Sequence, residues 1–319
     1  MSGHGNPRTH SGSASGRTST GKGHGAHLLP DSGWTPCWRA VMGFSTALLL
    51  TSCQRAGVLD PQGPISAAEK MILLNATGIM LVVVAPVIVL TLASAWWYRA
   101  SNKRATFRPE LVYSGSIELV VWSIPAMVVM LLAGVAWIGA HDLDPAAKLN
   151  SDVAPVRIEA VSLDWKWLFI YPDLRVATVN QLVVPVGVPL EFTLTSASVM
   201  NAFFVPQLGT QIYTMPGMST HLNLLAAHPG DYPGLSSHFS GDGFSDMHFV
   251  VHAVPASDFD RWRAQVRRGT AVLSTSAYIE LTRPSKNLAP QAYADVDPTL
   301  YKYILRQAAP MAAASSEAK

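Results

Sequence analysis

Residues 71–98, MILLNATGIMLVVVAPVIVLTLASAWWY, contain no charged side chain. A helix needs about 20 apolar residues to cross roughly 30 Å of hydrocarbon, and this run is longer. It offers no polar face to water and reads as a membrane span. Pro86 is expected to kink it. Trp96, Trp97 and Tyr98 stand at its end as an interfacial aromatic belt does. Residues 119–139, LVVWSIPAMVVMLLAGVAWIG, form a second such run, with Trp122 and Trp137 near its ends. The connection carries Arg99, Lys103, Arg104 and Arg108 against one acid, Glu110. An excess of Lys and Arg marks a cytoplasmic loop. The outer ends of both spans, and everything after about Asp142, then lie on the far side of the membrane.

Toward the N-terminus the same orientation is expected on separate grounds. Arg39 precedes the apolar run 41–50, which is followed by Leu50-Thr51-Ser52-Cys53. A positive flank, about ten apolar residues and small residues before a cut describe a secretory signal, and the run is too short to span. The tetrad ending in Cys53 resembles the lipobox of bacterial lipoproteins, in which the chain is cut before a cysteine that is then lipidated. Residues 1–32, rich in Gly, Ser, Thr and His, cannot bury a core and read as a solvated tail.

Composition sets the bounds. Charged residues make up 14% of the 319 and hydrophobic ones 49%, against about 25% charged in soluble domains. That balance excludes a largely disordered chain and argues against an ordinary cytosolic enzyme. A net charge of +2 supplies no field to hold nucleic acid. Both cysteines, Cys37 and Cys53, precede the spans. The remainder can build no disulfide framework, thiolate zinc site or iron–sulfur cluster.

From Val156 the pattern becomes short runs rich in Val, Ile, Thr and aromatics, punctuated by Pro and Gly. Strands are expected over 156–163, 167–171, 178–184, 190–196, 202–205, 211–215, 220–225 and 247–254. Such spacing suggests an all-β sandwich or Greek-key barrel. A helix opened by Ser257 with Asp260 three residues on is expected to carry Phe259, Trp262 and Val266 on one face. The expected organisation is therefore a signal segment over 1–52 and a lipidated linker over 53–70. A membrane hairpin over 71–139 follows, then a periplasmic β domain over 150–255 and a helical extension over 256–319.

Four segments carry a more specific signal. Residues 117–125, IELVVWSIP, match E-x-x-x-W-[ST]-x-P at the start of the second span. Residues 164–172 read DWKWLFIYP, 198–206 read SVMNAFFVP and 211–218 read QIYTMPGM. Together with two spans and an exported β domain, these resemble subunit II of the haem-copper respiratory oxidases, over about residues 53–262. The resemblance implies a cupredoxin-like Greek-key sandwich.

In the cytochrome c oxidase branch that domain holds the dinuclear copper centre CuA, ligated through a distant His and C-x-E-x-C-x-x-x-H-x-x-M. The corresponding positions here are Asn201, Ser236, His238, Ser240, Phe244 and Met247. Only the methionine survives, and soft copper sites need thiolate and imidazole. His248 and His252, four apart on a strand, are about 13 Å apart, too far to share an ion. His221, His228 and His238 remain as isolated imidazoles. Trp165 and Trp167 read as packing aromatics.

Residues 59–61 (LDP), 98–103 (YRASNK), 164–167 (DWKW), 177–180 (ATVN) and 240–247 (SGDGFSDM) resemble the quinol oxidase branch of the bo type. That likeness implies a complex in the bacterial inner membrane that oxidises ubiquinol from the quinol pool, reduces oxygen to water and pumps protons. Haems and CuB would belong to subunit I, with subunits III and IV as further partners and no docking of cytochrome c. This chain would be lipid-anchored at Cys53 and hold no redox centre. By the same likeness Glu118 lies at the mouth of a proton path into subunit I, whereas an acid in the first turn of a helix is also explained by the macrodipole alone. Two further readings stay open on the sequence. One is a free-standing cupredoxin-like lipoprotein acting as scaffold or receptor. The other, a cytochrome c oxidase subunit II, is opposed by the missing cysteines.

Overall fold

The computed structural model describes residues 57–106 and 113–317. The signal segment, Cys53, Arg108 and Glu110 lie outside the described residues. Two long helices come first. Helix α1 spans Pro64–Trp97 and α2 spans Gly115–Asp142, with Pro86 and Pro125 inside them. None of the most apolar stretch of either helix is buried within the chain. Apolar side chains turned outward in this way suit lipid or another membrane subunit. The helices approach closely at Gly139, where a Cβ would come within 2.7 Å of Ile72.

Helix α1 begins earlier than the apolar pattern indicates, so the linker over 53–70 needs correcting: from Pro64 onward it is helix. Pro64 takes the first helical position, where a missing N–H costs nothing. The Ser66 hydroxyl accepts from the Gly63 N–H at 3.2 Å and donates to the Gln207 carbonyl at 2.7 Å. Thirty-four residues make a helix about 51 Å long, well beyond the hydrocarbon thickness. The surplus carries the helix into the β domain, where Ile65 packs against the core.

The β domain is a sandwich. One sheet runs β12-β3-β2-β1-β5-β8, the other β4-β10-β9-β6-β7. The strands are β1 Val156–Leu163, β2 Lys166–Tyr171, β3 Val176–Val179, β4 Gln181–Pro185, β5 Leu190–Ser196, β6 Asn201–Phe204, β7 Ile212–Thr214, β8 Thr220–Leu224, β9 Gly230–Ser236, β10 His248–Val254 and β12 Gln291–Tyr293. Between the sheets Phe203 meets Trp167 edge-on at 5.3 Å and stacks on Phe249 at 5.1 Å. The Tyr171 hydroxyl is buried there and donates to the Val183 carbonyl at 2.9 Å.

Two differences from the expected strands have physical causes. The run 178–184 is two strands in different sheets, parted at Asn180, whose φ is 56°. Asparagine tolerates this left-handed conformation. Its side chain fixes the crossover, accepting from the Trp167 N–H and donating to the Leu288 carbonyl, both at 2.9 Å. Strand β9 (GDYPGLS) is hidden in the sequence by Pro233 and Gly234. It tolerates Pro233 because β6 pairs only with Leu235 and Ser236, which leaves β9 a free edge at the proline.

The extension also corrects the expectation. Helix α3, Ala256–Arg267, starts after Pro255, with Ser257 inside it and no side-chain cap. After it come β11 (Val272–Leu273), α4 (Thr275–Leu281), β12, β13 (Asp295–Val296) and α5 (Leu300–Glu317). These pieces cover the outer face of the first sheet. Val161, Leu163, Leu168 and Ile170 form a second core there with Leu273, Tyr278, Val296 and Ile304. Strand β2 is buried along its whole length as a result.

Candidate functional site

The positions that resemblance assigns to copper converge at one end of the sandwich. Asn201 opens β6 and Ser236 closes β9. His238 and Ser240 follow in the loop, Phe244 starts a short 3-10 turn, and Met247 precedes β10. Asn201, Ser236 and Met247 are buried.

What occupies this place is a set of neutral hydrogen bonds. The Ser236 hydroxyl donates to Asn201 Oδ1 at 3.1 Å. Asn201 Nδ2 donates to the Val199 carbonyl at 3.3 Å and to Ser162 Oγ at 3.4 Å. Ser162 and Thr214 hydroxyls meet at 2.9 Å. All four side chains are buried, so each bond replaces water that the group has lost. Met247 packs in the core. Phe244 stands edge-on to Phe239 at 5.6 Å, and the His238 ring edge-on to Tyr213 at 5.8 Å.

This donor set does not fit a copper centre. Hydroxyls and an amide are hard, neutral groups, and the amide and two of the hydroxyls are already spent on one another. Ser162 and Thr214, which complete the network, were invisible in the sequence; each reads alone as an ordinary strand residue. On the second sheet His252 Nδ1 lies 2.6 Å from Asp231 Oδ1, and His248 is exposed. Among the described residues no group of three or more His, Cys, Asp or Glu is placed to hold a metal ion.

Trp165 lies against this region. It sits in the two-residue turn between β1 and β2 with φ 62°, a rare conformation for a bulky residue. Its Nε1 donates to the Ser240 carbonyl at 3.1 Å. Gly243 makes room for it: a Cβ there would stand 2.3 Å from the indole. The neighbouring Lys166 is buried, and burial lowers its pKa. Its ammonium donates to the Arg283 carbonyl and the Ser285 hydroxyl, both at 2.7 Å, tying the extension to the sheet. Trp167 lies wholly in the core, and Trp165 is partly buried against it.

Glu118 is far from all of this. It lies exposed in the first turn of α2, its N–H donating to the Ser114 carbonyl at 3.0 Å. From there to Asp142 is about 36 Å along the helix. The structure does not bring the acid and the degenerate metal positions together.

Comparison with known proteins adds a family. Residues 152–254 match the model of the cytochrome c oxidase subunit II periplasmic domain, and 267–309 match the COX aromatic rich motif. The chain is 46% identical over 264 residues to cytochrome bo(3) ubiquinol oxidase subunit 2 of Pseudomonas aeruginosa, covering 83% of this chain and 80% of that one. The chain belongs to the bo(3)-type ubiquinol oxidase subunit 2 family. Another relative is ubiquinol oxidase subunit 2 of Acetobacter aceti, 44% identical over 265 residues, covering 82% of this chain and 86% of that one. More distant is quinol oxidase subunit 2 of Bacillus cereus, 33% identical over 247 residues, covering 77% and 85%.

Within this family the fold elements take on their meaning. The aromatic rich motif is the stretch from β11 into α5, whose Tyr278 and Tyr301 seal the second core. Two helices able to cross a membrane, followed by a domain of the periplasmic type, make the layout of an inner-membrane protein.

Proposed function

We propose that this chain is the non-redox subunit II of a proton-pumping terminal quinol oxidase. Ubiquinol is oxidised and oxygen reduced to water in subunit I, which carries the haems and CuB, and subunits III and IV complete the complex. The observation that carries this reading is the neutral Asn201–Ser236–Ser162–Thr214 network where a copper relay would need thiolates and imidazoles. Such a relay serves a soluble donor, cytochrome c. A quinol is dissolved in the bilayer and reaches the large subunit without it. The sandwich then caps subunit I, and the hairpin seats it.

Two further assignments belong to the same reading. Cys53 is the lipidated first residue of the mature chain, which adds an anchor beside two spans. Glu118 lies at the cytoplasmic edge and passes protons toward subunit I. Its support is the charge-rich loop before α2 and the depth of an acid at the head of a span.

The test is purification of the complex through this chain, with haem spectrum, metal count and turnover. Ubiquinol oxidation without added cytochrome c is expected. A chain that purifies without a haem-bearing partner, or a complex that needs cytochrome c, overturns the reading. Glu118→Ala should assemble normally and turn over quinol slowly, with the reductive half of the cycle delayed. Unchanged turnover in an assembled Glu118→Ala complex refutes the proton role. Mass spectrometry should find residues 1–52 absent and an acyl mass on Cys53.

A further inference from the structure

Glu159 lies near the middle of β1, on the face that the extension covers: the alternating residues Val161 and Leu163 on its side belong to the second core. It lines a cavity of about 60 Å³ with Ile170, Pro172 and Arg175 on the sheet side and Val296, Asp297 and Pro298 on the extension side. That volume admits a few waters at most. Two carboxylates thus stand on opposite walls of one small seam.

The nearby cations are engaged elsewhere. On β1 itself, Arg157 forks onto Asp173 in the turn after β2, with Nε 2.9 Å from Oδ2. Arg175 pairs with Asp295 of β13 at 3.0 Å. On β5 the neighbouring acid Glu191 faces Lys148 at 3.8 Å. From α5 the Tyr301 hydroxyl approaches the seam and is itself a weak acid raised by burial. Asp297 accepts from the Thr299 N–H at 2.8 Å and hydroxyl at 2.7 Å, which holds its carboxyl below the usual range, so it stays charged. The backbone of Glu159 is paired with Ile170 and Thr193 in the sheet, and its carboxyl takes part in no hydrogen bond or ion pair among the described residues.

We propose that the seam between β1 and the β13–α5 segment is a pH-operated joint: it is closed while Glu159, set between the two walls of the cavity without a side-chain partner, carries a proton, and loosens when that carboxyl ionises and draws water into the seam. Burial pushes the Glu159 carboxyl up from 4.5 to about 7, with Asp173 adding to the rise and Arg157 opposing it. The sign follows from linkage. Between these two values the closed seam holds a proton that an open one releases, so closure weakens as pH rises toward 7. Above about 7 both forms are ionised and the loss is complete. The joint thus responds to the pH of the compartment the sandwich occupies, and what it moves is the aromatic cover of the outer sheet face.

Hydrogen exchange on the full chain in detergent tests this, corrected for the chemical rate at each pH. Peptides covering β13 and the start of α5 should lose about tenfold in protection between pH 6 and pH 8, as a shift from 4.5 to about 7 dictates. Peptides from β5 and β10 serve as the reference and should not change. Glu159→Gln should abolish the dependence and keep the seam protected at both pH values. Asp173→Asn, which removes the acid that adds to the rise and frees Arg157 from its partner, should shrink the dependence, which gives a second route should Glu159→Gln fold poorly. A seam equally protected at pH 6 and 8 in the unaltered chain, or the same pH response retained in Glu159→Gln, overturns the proposal.

Discussion

Gly63→Ala should loosen the attachment of the β domain to α1. Its φ of −140° is open to any residue, so the effect is one of contact and not of backbone strain. A Cβ at Gly63 would lie 2.4 Å from the Leu225 carbonyl oxygen and 3.2 Å from that of Leu208. Both are main-chain atoms and cannot swing aside, so the segment must retreat by most of an ångström. The retreat strains four bonds: Gly63 N–H to Ser66 Oγ, Ser66 Oγ to Gln207 O, Gln62 N–H to Gln207 O at 2.7 Å and Ala227 N–H to Gln62 O at 2.8 Å. Losing two of them at about 1 kcal/mol each, with about 1–2 kcal/mol of overpacking, gives ~3–4 kcal/mol. Thermal unfolding of the full chain in detergent, followed by tryptophan fluorescence, should show a midpoint lowered by roughly 5–15 °C. Gly78→Ala is the control, since nothing lies within 4 Å of a Cβ there. Equal stability of Gly63→Ala and Gly78→Ala would refute this account of the joint.

Other substitutions test the degenerate site and its surroundings. Asn201→Leu takes the amide from between Ser236 and Ser162, leaving Ser236 with the His238 carbonyl and Ser162 with Thr214, and should cost about 1–3 kcal/mol, read by denaturant unfolding. Gly243→Ala drives a methyl into the Trp165 indole and should cost about 1–3 kcal/mol, with a shifted tryptophan emission as the indole leaves the Ser240 carbonyl. Lys166→Met removes the ammonium from the Arg283 carbonyl and the Ser285 hydroxyl; the 283–288 loop should exchange its amides faster while the sandwich core is unaffected.

The apolar spans were plain in the sequence because lipid demands a long run without charge. Their outer limit was not, since the start of the helix is held by contacts of Ser66 with Gln207 and of Ile65 with the sandwich core, far along the chain. Strands β1 and β5 matched the sequence pattern residue for residue, being regular and bounded by turn residues. Strand β9 escaped because its Pro and Gly are tolerated only by its particular neighbours. The extension was read as helical when much of it is short pieces with no period long enough to see. At the candidate site the residue types at the positions that resemblance assigns to copper could be read from the sequence. The network they join could not, since Ser162 and Thr214 meet Asn201 only after three strands have packed.

The attachment of α1 also constrains how the molecule can be made. Ser66 reaches Gln207 across 141 positions of sequence, and Gln207 reaches back to Asp60 across 147. The residues at both ends of these contacts are outside the membrane only after the whole hairpin has been threaded between them. Ile65 fills a place in the sandwich core beside Leu224. The exported domain therefore completes its hydrophobic floor last, by closing onto a segment that left the synthesis machinery first. A β domain produced without residues 57–66 would present that floor to water, and insertion of the hairpin becomes a step in folding the soluble part.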